Sequence, residues 1–292
     1  MPHSLAVRPT GQAWGLTDTG LKAIALVSMV LDHIHYFFSH TGCIPLWFSM
    51  AGRLAAPLFL FCLVEGYSHT HSRRRYYCKL LAIAAPMGLL LFFMRYGGLL
   101  VRPDGFFPTN SMLSTFVLLV YFYLAFDCLA SRRGKRVLLG LCLLVFLLAW
   151  PFLAGWLTLA FPAAATVVGL LSYTGLPMIN LTGDLSTPVL LSGIVLYLAR
   201  KHRPLQVAAL VAVEFGWHFL LVYSQVRTLP DFQPIQMLTT YYEWMGGCLA
   251  APLLLCYNGQ RGRGYQRFFY FFYPAHIYLL YALSWLSFLA AG

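Results

Sequence analysis

The sequence predicts an all-α protein, a polytopic bundle of transmembrane helices, on three observations. Hydrophobic residues make up 60% of the 292-residue chain, charged residues only 10%, and the mean hydropathy is +0.70. A soluble domain carries about 25% charged residues, so these few charges cannot cover a soluble globule of this length. The composition also excludes a disordered chain. The apolar stretches run continuously and do not alternate with period two, which argues against a transmembrane barrel.

Nine apolar runs are predicted to cross the membrane, where a spanning helix takes about 20 residues. Thr17, Asp18 and Thr19 precede the first run and supply a helix N-cap signature. The predicted spans are 21–38, 45–66, 77–96, 111–130, 137–154, 187–200, 205–225, 235–256 and 268–290. One more apolar stretch, 155–186, is interrupted by glycines and prolines.

Four clusters of basic residues set the orientation. They lie at 73–75, 132–136, 200–203 and 261–267, between apolar runs, as the positive-inside bias produces. With a cytoplasmic N-terminus, all four face the cytoplasm only if 155–186 does not cross. We therefore predict about nine spans plus one broken re-entrant or interfacial segment. Ten crossings are the alternative, because the rule is a bias.

We expect a single membrane domain over 1–292, in a multi-pass protein of a bacterial inner membrane. The basic clusters are explained by topology, so no nucleic-acid partner is expected. The seven cysteines are scattered without a Cys-x-x-Cys pair, a pattern typical of packing residues, and no metal site is predicted.

Ionisable residues inside predicted spans are the first candidates for function, because a charge at the centre of a spanning helix costs at least about 2.5 kcal/mol. Five residues qualify: Asp32, His33, Arg53, Glu65 and His276. Neighbours on a helix do not face each other, so Asp32 cannot orient His33. Arg53 on the next span is its predicted counter-ion.

Lys22 and His33 are eleven residues apart in the first span, which returns them to nearly the same helix face. At 1.5 Å per residue they are separated by about 16 Å in depth. We expect both on one wall of a cavity, so that a long anionic ligand entering from the cytoplasm would meet the cation first and the imidazole last. Imidazole is well suited to accept a proton near neutral pH.

Structural roles are the alternatives for these residues. A buried histidine is often a packing residue, and Asp32 with Arg53 would also hold two spans in register. Three further features have the same ambiguity. Glu65 and His69 form an i, i+4 pair at a helix end, Glu214 and His218 repeat that spacing, and Glu243 lies in the eighth predicted span.

Several stretches resemble the TraX family of integral-membrane acetyltransferases, whose named member acetylates the N-terminus of conjugative pilin. The stretches are Leu21 to His33, Gly52 to Phe59 continuing to Glu65-Gly66-Tyr67 and His69-Thr70, Asn110 before an apolar run, and Phe268 to His276 with its Tyr-Pro-x-His ending. The first also resembles the basic-x10-His signature of transmembrane acyltransferases, the acyltransferase-3 superfamily. Residues 137–186 depart most from the family pattern.

The resemblance implies transfer of an acetyl group from cytoplasmic acetyl-CoA to an acceptor within or across the membrane. It implies that His33, with Asp32 beside it, is the general base or a transient acyl carrier. Lys22 and Arg53 become candidates for the CoA phosphates or the thioester oxygen, and Asn110 for an oxyanion donor. His276 and Tyr273 would complete the acceptor side, while Glu65 and His69 would gate CoA entry.

The acceptor stays open at this stage: a peptide or pilin N-terminus, a glycan hydroxyl and a lipid-linked sugar all fit, with membrane lipid as a further partner. Two other classes of function are the alternatives. A transporter or flippase also uses intramembrane acids and histidines, although the paired repeats usual in transporters are not visible. A non-catalytic assembly factor for a surface appendage would have the same sequence features.

Overall fold

The computed structural model describes residues 15–291, and all regular structure in that range is helical. The helices are α1 Asp18–Phe38, α2 Trp47–Gly52, α3 Ala55–Ser68, α4 Arg73–Gly97, α5 Met112–Leu129, α6 Gly134–Ala160, α7 Ala165–Tyr173, α8 Thr187–Leu198, α9 Arg203–Phe215, α10 Val222–Val226, α11 Gln236–Thr239, α12 Met245–Leu255 and α13 Gln266–Ala291. A π-helix, Gly216–Leu221, joins α9 to α10.

Within residues 15–291, six helical stretches are long and apolar enough to cross a membrane, which confirms the predicted all-α membrane bundle. They are Asp18–Thr41, Trp47–Ser68, Arg73–Gly97, Met112–Leu129, Gly134–Ala160 and Arg203–Val226. Helix α13 has 26 residues, whereas α8 and α12 have only 12 and 11. The count of nine crossings stays a prediction.

Local signals start the long helices where the sequence places them. Thr17 caps α1 by accepting a hydrogen bond from the Gly20 amide at 3.1 Å, and Ser72 caps α4 by accepting from the Arg75 amide at 3.3 Å. Each cap satisfies an amide that has no partner within its helix. The basic cluster at 73–75 thereby lies in the first turn of α4.

The basic segments meet at one end of the bundle. Arg203 at the start of α9 pairs with Glu65 at the end of α3, at 3.3 Å. Arg73 at the start of α4 pairs with Asp127 at the end of α5, at 2.6 Å. The start of α1 is hydrogen-bonded to the segment after α12, where the Thr19 amide donates to the Arg261 carbonyl. These contacts place the clusters at one end of the bundle, which we call the basic end.

The stretch predicted to be a re-entrant or interfacial segment turns back within the bundle. After α6, the chain turns into α7, which packs on the second half of α4. Gly175 then reaches the middle of α5, where its carbonyl accepts a hydrogen bond from Tyr121 at 2.8 Å. The chain returns to the start of α5, where the Asp184 carboxylate accepts from the Ser111 amide.

Two predicted spans are less continuous than the sequence suggested. The run 45–66 is two helices, because α2 ends at Gly52 and α3 begins at Ala55. The run 235–256 contains the short α11, a 3₁₀ turn at Tyr242–Trp244 and then α12. A hydropathy profile reports the length of an apolar run but not a break in its helix. Irregular backbone within a membrane is tolerated where it is buried or lines a cavity. Both interruptions border the cavity described next.

Candidate functional site

Two predicted site histidines from opposite ends of the chain meet inside the bundle. His33 Nδ1 of α1 lies 2.7 Å from His276 Nε2 of α13, and both side chains are buried. The ring planes differ by only 10° and the ring centroids are 4.9 Å apart. With the nitrogens this close, the two rings lie edge to edge in nearly one plane, which is the geometry of an imidazole–imidazole hydrogen bond.

The hydrogen bonds have a definite direction when both rings are neutral. His276 Nδ1 lies 2.8 Å from the Phe272 carbonyl, which only accepts, so Nδ1 carries the proton. His276 Nε2 is then an acceptor, and His33 Nδ1 donates to it. His33 Nε2 keeps a lone pair, to which the Asn110 amide nitrogen donates at 3.0 Å. Every ring nitrogen of this network is therefore occupied.

The side-chain amide of Asn110 is only partly hydrogen-bonded. Its amide oxygen is buried and has no hydrogen-bond partner among the described residues. A buried oxygen without a partner costs about 1–3 kcal/mol, so a bound ligand that donates a proton would complete this site. Tyr273 lies beside His276, with ring centroids 5.8 Å apart, and its hydroxyl accepts from the Met112 amide at 3.1 Å.

The predicted pair of Asp32 and Arg53 forms. Arg53 Nη2 donates to Asp32 Oδ1 at 2.5 Å, and the Ser49 hydroxyl donates to the same oxygen at 2.9 Å. Gly52 makes this approach possible, because a Cβ there would lie 2.2 Å from the Asp32 Cβ. The ion pair therefore joins α1 to the break between α2 and α3.

A cavity of about 350 Å³, which we call the outer cavity, lies next to His33. Its lining includes Arg53, in the break between α2 and α3, and Tyr273 of α13. Four of the nine acidic residues in the chain line it: Asp32, Asp184, Glu214 and Glu243. Arg53 is the one Lys or Arg among the described lining residues, so acidic residues outnumber basic ones in the outer cavity of a chain of net charge +11.

Two further cavities lie between the outer cavity and the basic end. The apolar cavity, about 110 Å³, shares four lining residues with the outer cavity: Met29, Phe59, Met112 and Tyr273. The mouth cavity, about 560 Å³, shares Lys22, Gly66, Tyr76 and Tyr270 with the apolar cavity. The three cavities thus follow one another from the basic end to the imidazole network.

The mouth cavity is basic. Its cationic and imidazole side chains are Lys22, Arg75, Lys79, Arg261, His69 and His71. Lys22 is neutralised by Asp18, whose carboxylate accepts from Nζ at 2.6 Å. No carboxylate among residues 15–291 lies within ion-pair distance of the Arg75, Lys79 or Arg261 side chains. Three unpaired cations therefore surround the mouth.

Two sequence-based expectations need correction. Lys22 and His33 do not share one cavity wall, because Lys22 lines the mouth and apolar cavities and His33 lines the outer cavity. Arg53 also lines the outer cavity, on the far side of the apolar cavity from the mouth, and so is not placed to meet phosphates there. Helical spacing predicts which face of α1 the two residues occupy. It does not predict how neighbouring helices divide the space beside that face into separate cavities.

Glu65 and His69 both line the mouth cavity. His69 Nδ1 is 3.0 Å from the Glu65 carbonyl and 3.8 Å from its carboxylate. The closer charged partner of Glu65 is Arg203 at 3.3 Å, which sequence reasoning treated only as part of a basic loop. This pair ties α3 to α9 at the rim of the mouth.

Sequence reasoning missed Asp127 and Asp184. Asp127 lies at the end of α5, next to a basic cluster, and Asp184 lies in the broken segment that hydropathy could not interpret. Both residues could have been found because acidic residues are rare in this chain. It has only nine, and an acidic residue in or beside an apolar run is costly. Among the described residues, no three His, Cys, Asp or Glu side chains converge as metal ligands.

Comparison with known proteins identifies a family and a relative. The family model described as TraX protein matches residues 18–284. A probable fimbrial assembly protein FimC of serogroup H1 from Dichelobacter nodosus is 28% identical over 273 residues, which cover 89% of this chain and 92% of the relative. No solved structure matches the chain significantly. Since the family match extends over most of its length, from α1 into α13, this chain belongs to the TraX family.

Proposed function

We propose that this chain is a membrane-embedded acyltransferase that moves an acetyl group from cytoplasmic acetyl-CoA to an amine or hydroxyl acceptor. One observation carries the proposal: three cavities in series lead from a basic mouth through an apolar passage to a buried imidazole network. A donor with a polyanionic head and a long, thin arm ending in a thioester has the matching order of chemical groups.

The donor end is assigned to the mouth cavity. Arg75, Lys79 and Arg261 are the unpaired cations there, and such groups favour phosphates. Lys22 would take part only by giving up its 2.6 Å contact with Asp18. The apolar cavity would hold the uncharged arm, which brings the thioester toward the shared wall of Met29, Phe59, Met112 and Tyr273.

The transfer step is assigned to His33 and Asn110. An acceptor entering the outer cavity would displace the Asn110 amide from His33 Nε2. Nε2 would then take the acceptor proton as the acceptor nitrogen or oxygen bonds to the acetyl carbonyl carbon. The released Asn110 amide would donate to the developing oxyanion. When the carbon–sulfur bond breaks, His33 would return the proton to the sulfur, while His276 fixes the ring through Nδ1.

The outer cavity favours an amine acceptor over a hydroxyl. Its four acids would attract an ammonium group, and a peptide or pilin N-terminus carries one. The relative from Dichelobacter nodosus is described as a probable fimbrial assembly protein, which supports a fimbrial or pilin peptide over a glycan. On this proposal the protein works in a bacterial inner membrane, with the acceptor drawn from that membrane or its outer side.

The test measures acetyl transfer from radiolabelled acetyl-CoA to a peptide with a free α-amine, using the full chain in detergent. We expect wild type to transfer the label and His33→Gln to lose about 10²- to 10⁴-fold in rate, the usual contribution of a general base. His35→Gln is the matched control, since His35 is on the same helix but lines none of the three cavities.

Binding of acetyl-CoA by calorimetry separates the alternatives. Saturable binding that His33→Gln retains, together with loss of transfer, would support a catalytic role for His33. A folded wild type that neither binds acetyl-CoA nor transfers its acetyl group would contradict the proposal and favour a transporter or a non-catalytic assembly factor.

A further inference from the structure

The outer cavity contains a second imidazole whose surroundings differ from those of His33. His218 lines the same cavity, and no hydrogen bond to its ring is formed within the described part of the chain. Its nearest charged partner is Glu214, with 3.8 Å between His218 Nε2 and Glu214 Oε2, which is beyond hydrogen-bond distance. His33 is saturated by two hydrogen bonds, whereas His218 has nitrogens open to the cavity.

The backbone at His218 has an unusual helical conformation. It lies on the π-helix Gly216–Leu221, a conformation that is rare and often found at functional sites. One helical turn earlier, Glu214 is buried, and its Oε1 accepts from the Ser192 hydroxyl at 2.7 Å. Gly247 of α12 allows this position, because a Cβ there would lie 2.7 Å from the Glu214 side chain. The carboxylate is thus fixed beneath the imidazole.

The groups facing His218 are predominantly acidic. Glu214 comes from its own helix, Glu243 from the 3₁₀ turn before α12, Asp32 from α1 and Asp184 from the re-entrant segment, with Arg53 paired to Asp32. This arrangement suits a group that accepts a proton from an incoming cation.

We propose that His218, with the Glu214 carboxylate one helical turn away, takes the first proton from an ammonium acceptor before the transfer step. This inference rests on the proposed acyltransferase function. An ammonium group has no lone pair, so it must lose one proton before its nitrogen can attack the thioester and a second as the amide forms. His33 accounts for one proton only, and its network has no further free nitrogen.

The protons balance with two imidazoles. His218 takes one proton from the ammonium and later releases it to water in the outer cavity. His33 takes the other as the carbon–nitrogen bond forms, and passes it to the sulfur as the carbon–sulfur bond breaks. The overall change is one ammonium and one thioester converted to one amide, one thiol and one released proton.

The test is the pH dependence of acetyl transfer to a peptide α-amine, with His218→Gln compared with wild type. An α-amine has a pKa of about 7.7–8.0, so about one in a hundred is neutral at pH 6 and nearly all are neutral at pH 9. We expect His218→Gln to be slower by about tenfold or more at pH 6. The difference should shrink to within about twofold at pH 9, where the amine arrives without its extra proton.

Other variants separate the outcomes. Glu214→Gln, which keeps an acceptor for Ser192, should show a smaller deficit with the same pH dependence, and it replaces His218→Gln if that variant does not fold. His33→Gln should stay inactive at both pH values. A deficit of His218→Gln that is equal at pH 6 and pH 9 would indicate a structural role and overturn this inference alone. A wild type without transfer at either pH would overturn the proposed function as well.

Discussion

The acid at the end of α5 and the acids of the outer cavity show how similar residues acquire different roles. Asp127 accepts from the Tyr67 and Tyr197 hydroxyls at 2.7 and 2.6 Å and pairs with Arg73 at 2.6 Å. Arg200 lies 3.9 Å from it and stacks over the Tyr197 ring. This cluster joins α3, α4, α5 and α8 and leaves the carboxylate no oxygen for a ligand.

The outer cavity differs from this cluster because its acids border open space, although Asp32, Asp184 and Glu214 each accept a hydrogen bond. Its four acids face about 350 Å³ of space with one arginine among the described lining residues. Asn110, whose amide nitrogen donates to His33, has an amide oxygen with no partner among the described residues. A polar cluster whose partners are all protein groups stabilises the bundle, whereas polar groups that line a cavity can also meet a ligand. The comparison therefore assigns Asp127 to stability and supports the proposed role of the outer cavity.

Replacing Asp127 should give the largest stability effect among the changes that test this comparison. We expect Asp127→Asn to lower the free energy of unfolding by about 2 kcal/mol, because charge-assisted hydrogen bonds from several helices are weakened. Thermal unfolding in detergent measures the loss, with the exposed Asp231→Asn as control. If Asp127→Asn instead abolished acetyl transfer without loss of stability, the division between the two regions would be wrong.

The cations of the mouth cavity provide a second test, at the basic end. Arg75→Ala combined with Lys79→Ala should weaken acetyl-CoA binding about tenfold, or about 1.4 kcal/mol, because two unpaired cations are removed from the phosphates. Binding of acetyl-pantetheine, which has no phosphate, should not change. Calorimetry with both ligands checks this. The control is Lys135→Ala with Arg136→Ala, a pair of basic residues outside the three cavities; an equal loss in that control would contradict a specific phosphate site.

The Asp32–Arg53 pair should give the smallest effect, because both side chains are partly open to the outer cavity. We expect Asp32→Arg and Arg53→Asp each to lower stability, and the double exchange to recover about 1 kcal/mol of it. A double-mutant cycle from thermal unfolding measures this coupling. Purely additive effects would show that the ion pair does not hold α1 to the break between α2 and α3.

Much of the fold followed from hydropathy and charge, for identifiable reasons. Long apolar runs gave α1, α4, α5 and α6, because a membrane leaves an apolar chain of that length few options other than a helix. The basic clusters and the prolines of 155–186 predicted a segment that does not cross, and Gly175 does turn back at the middle of α5. The helix break after Gly52 could not be predicted from the sequence, because the residues on both sides of it are equally apolar.

The candidate residues could be chosen from the sequence, because charge and imidazole inside apolar runs are costly and therefore stand out. The proximity of Asp32 and Arg53 could be predicted in the same way. The hydrogen bond between His33 and His276, 243 positions apart, and the apolar cavity that separates Lys22 from His33 required the three-dimensional structure. Helical periodicity fixes the face a side chain occupies, whereas packing between helices decides which faces meet and where space is left between them.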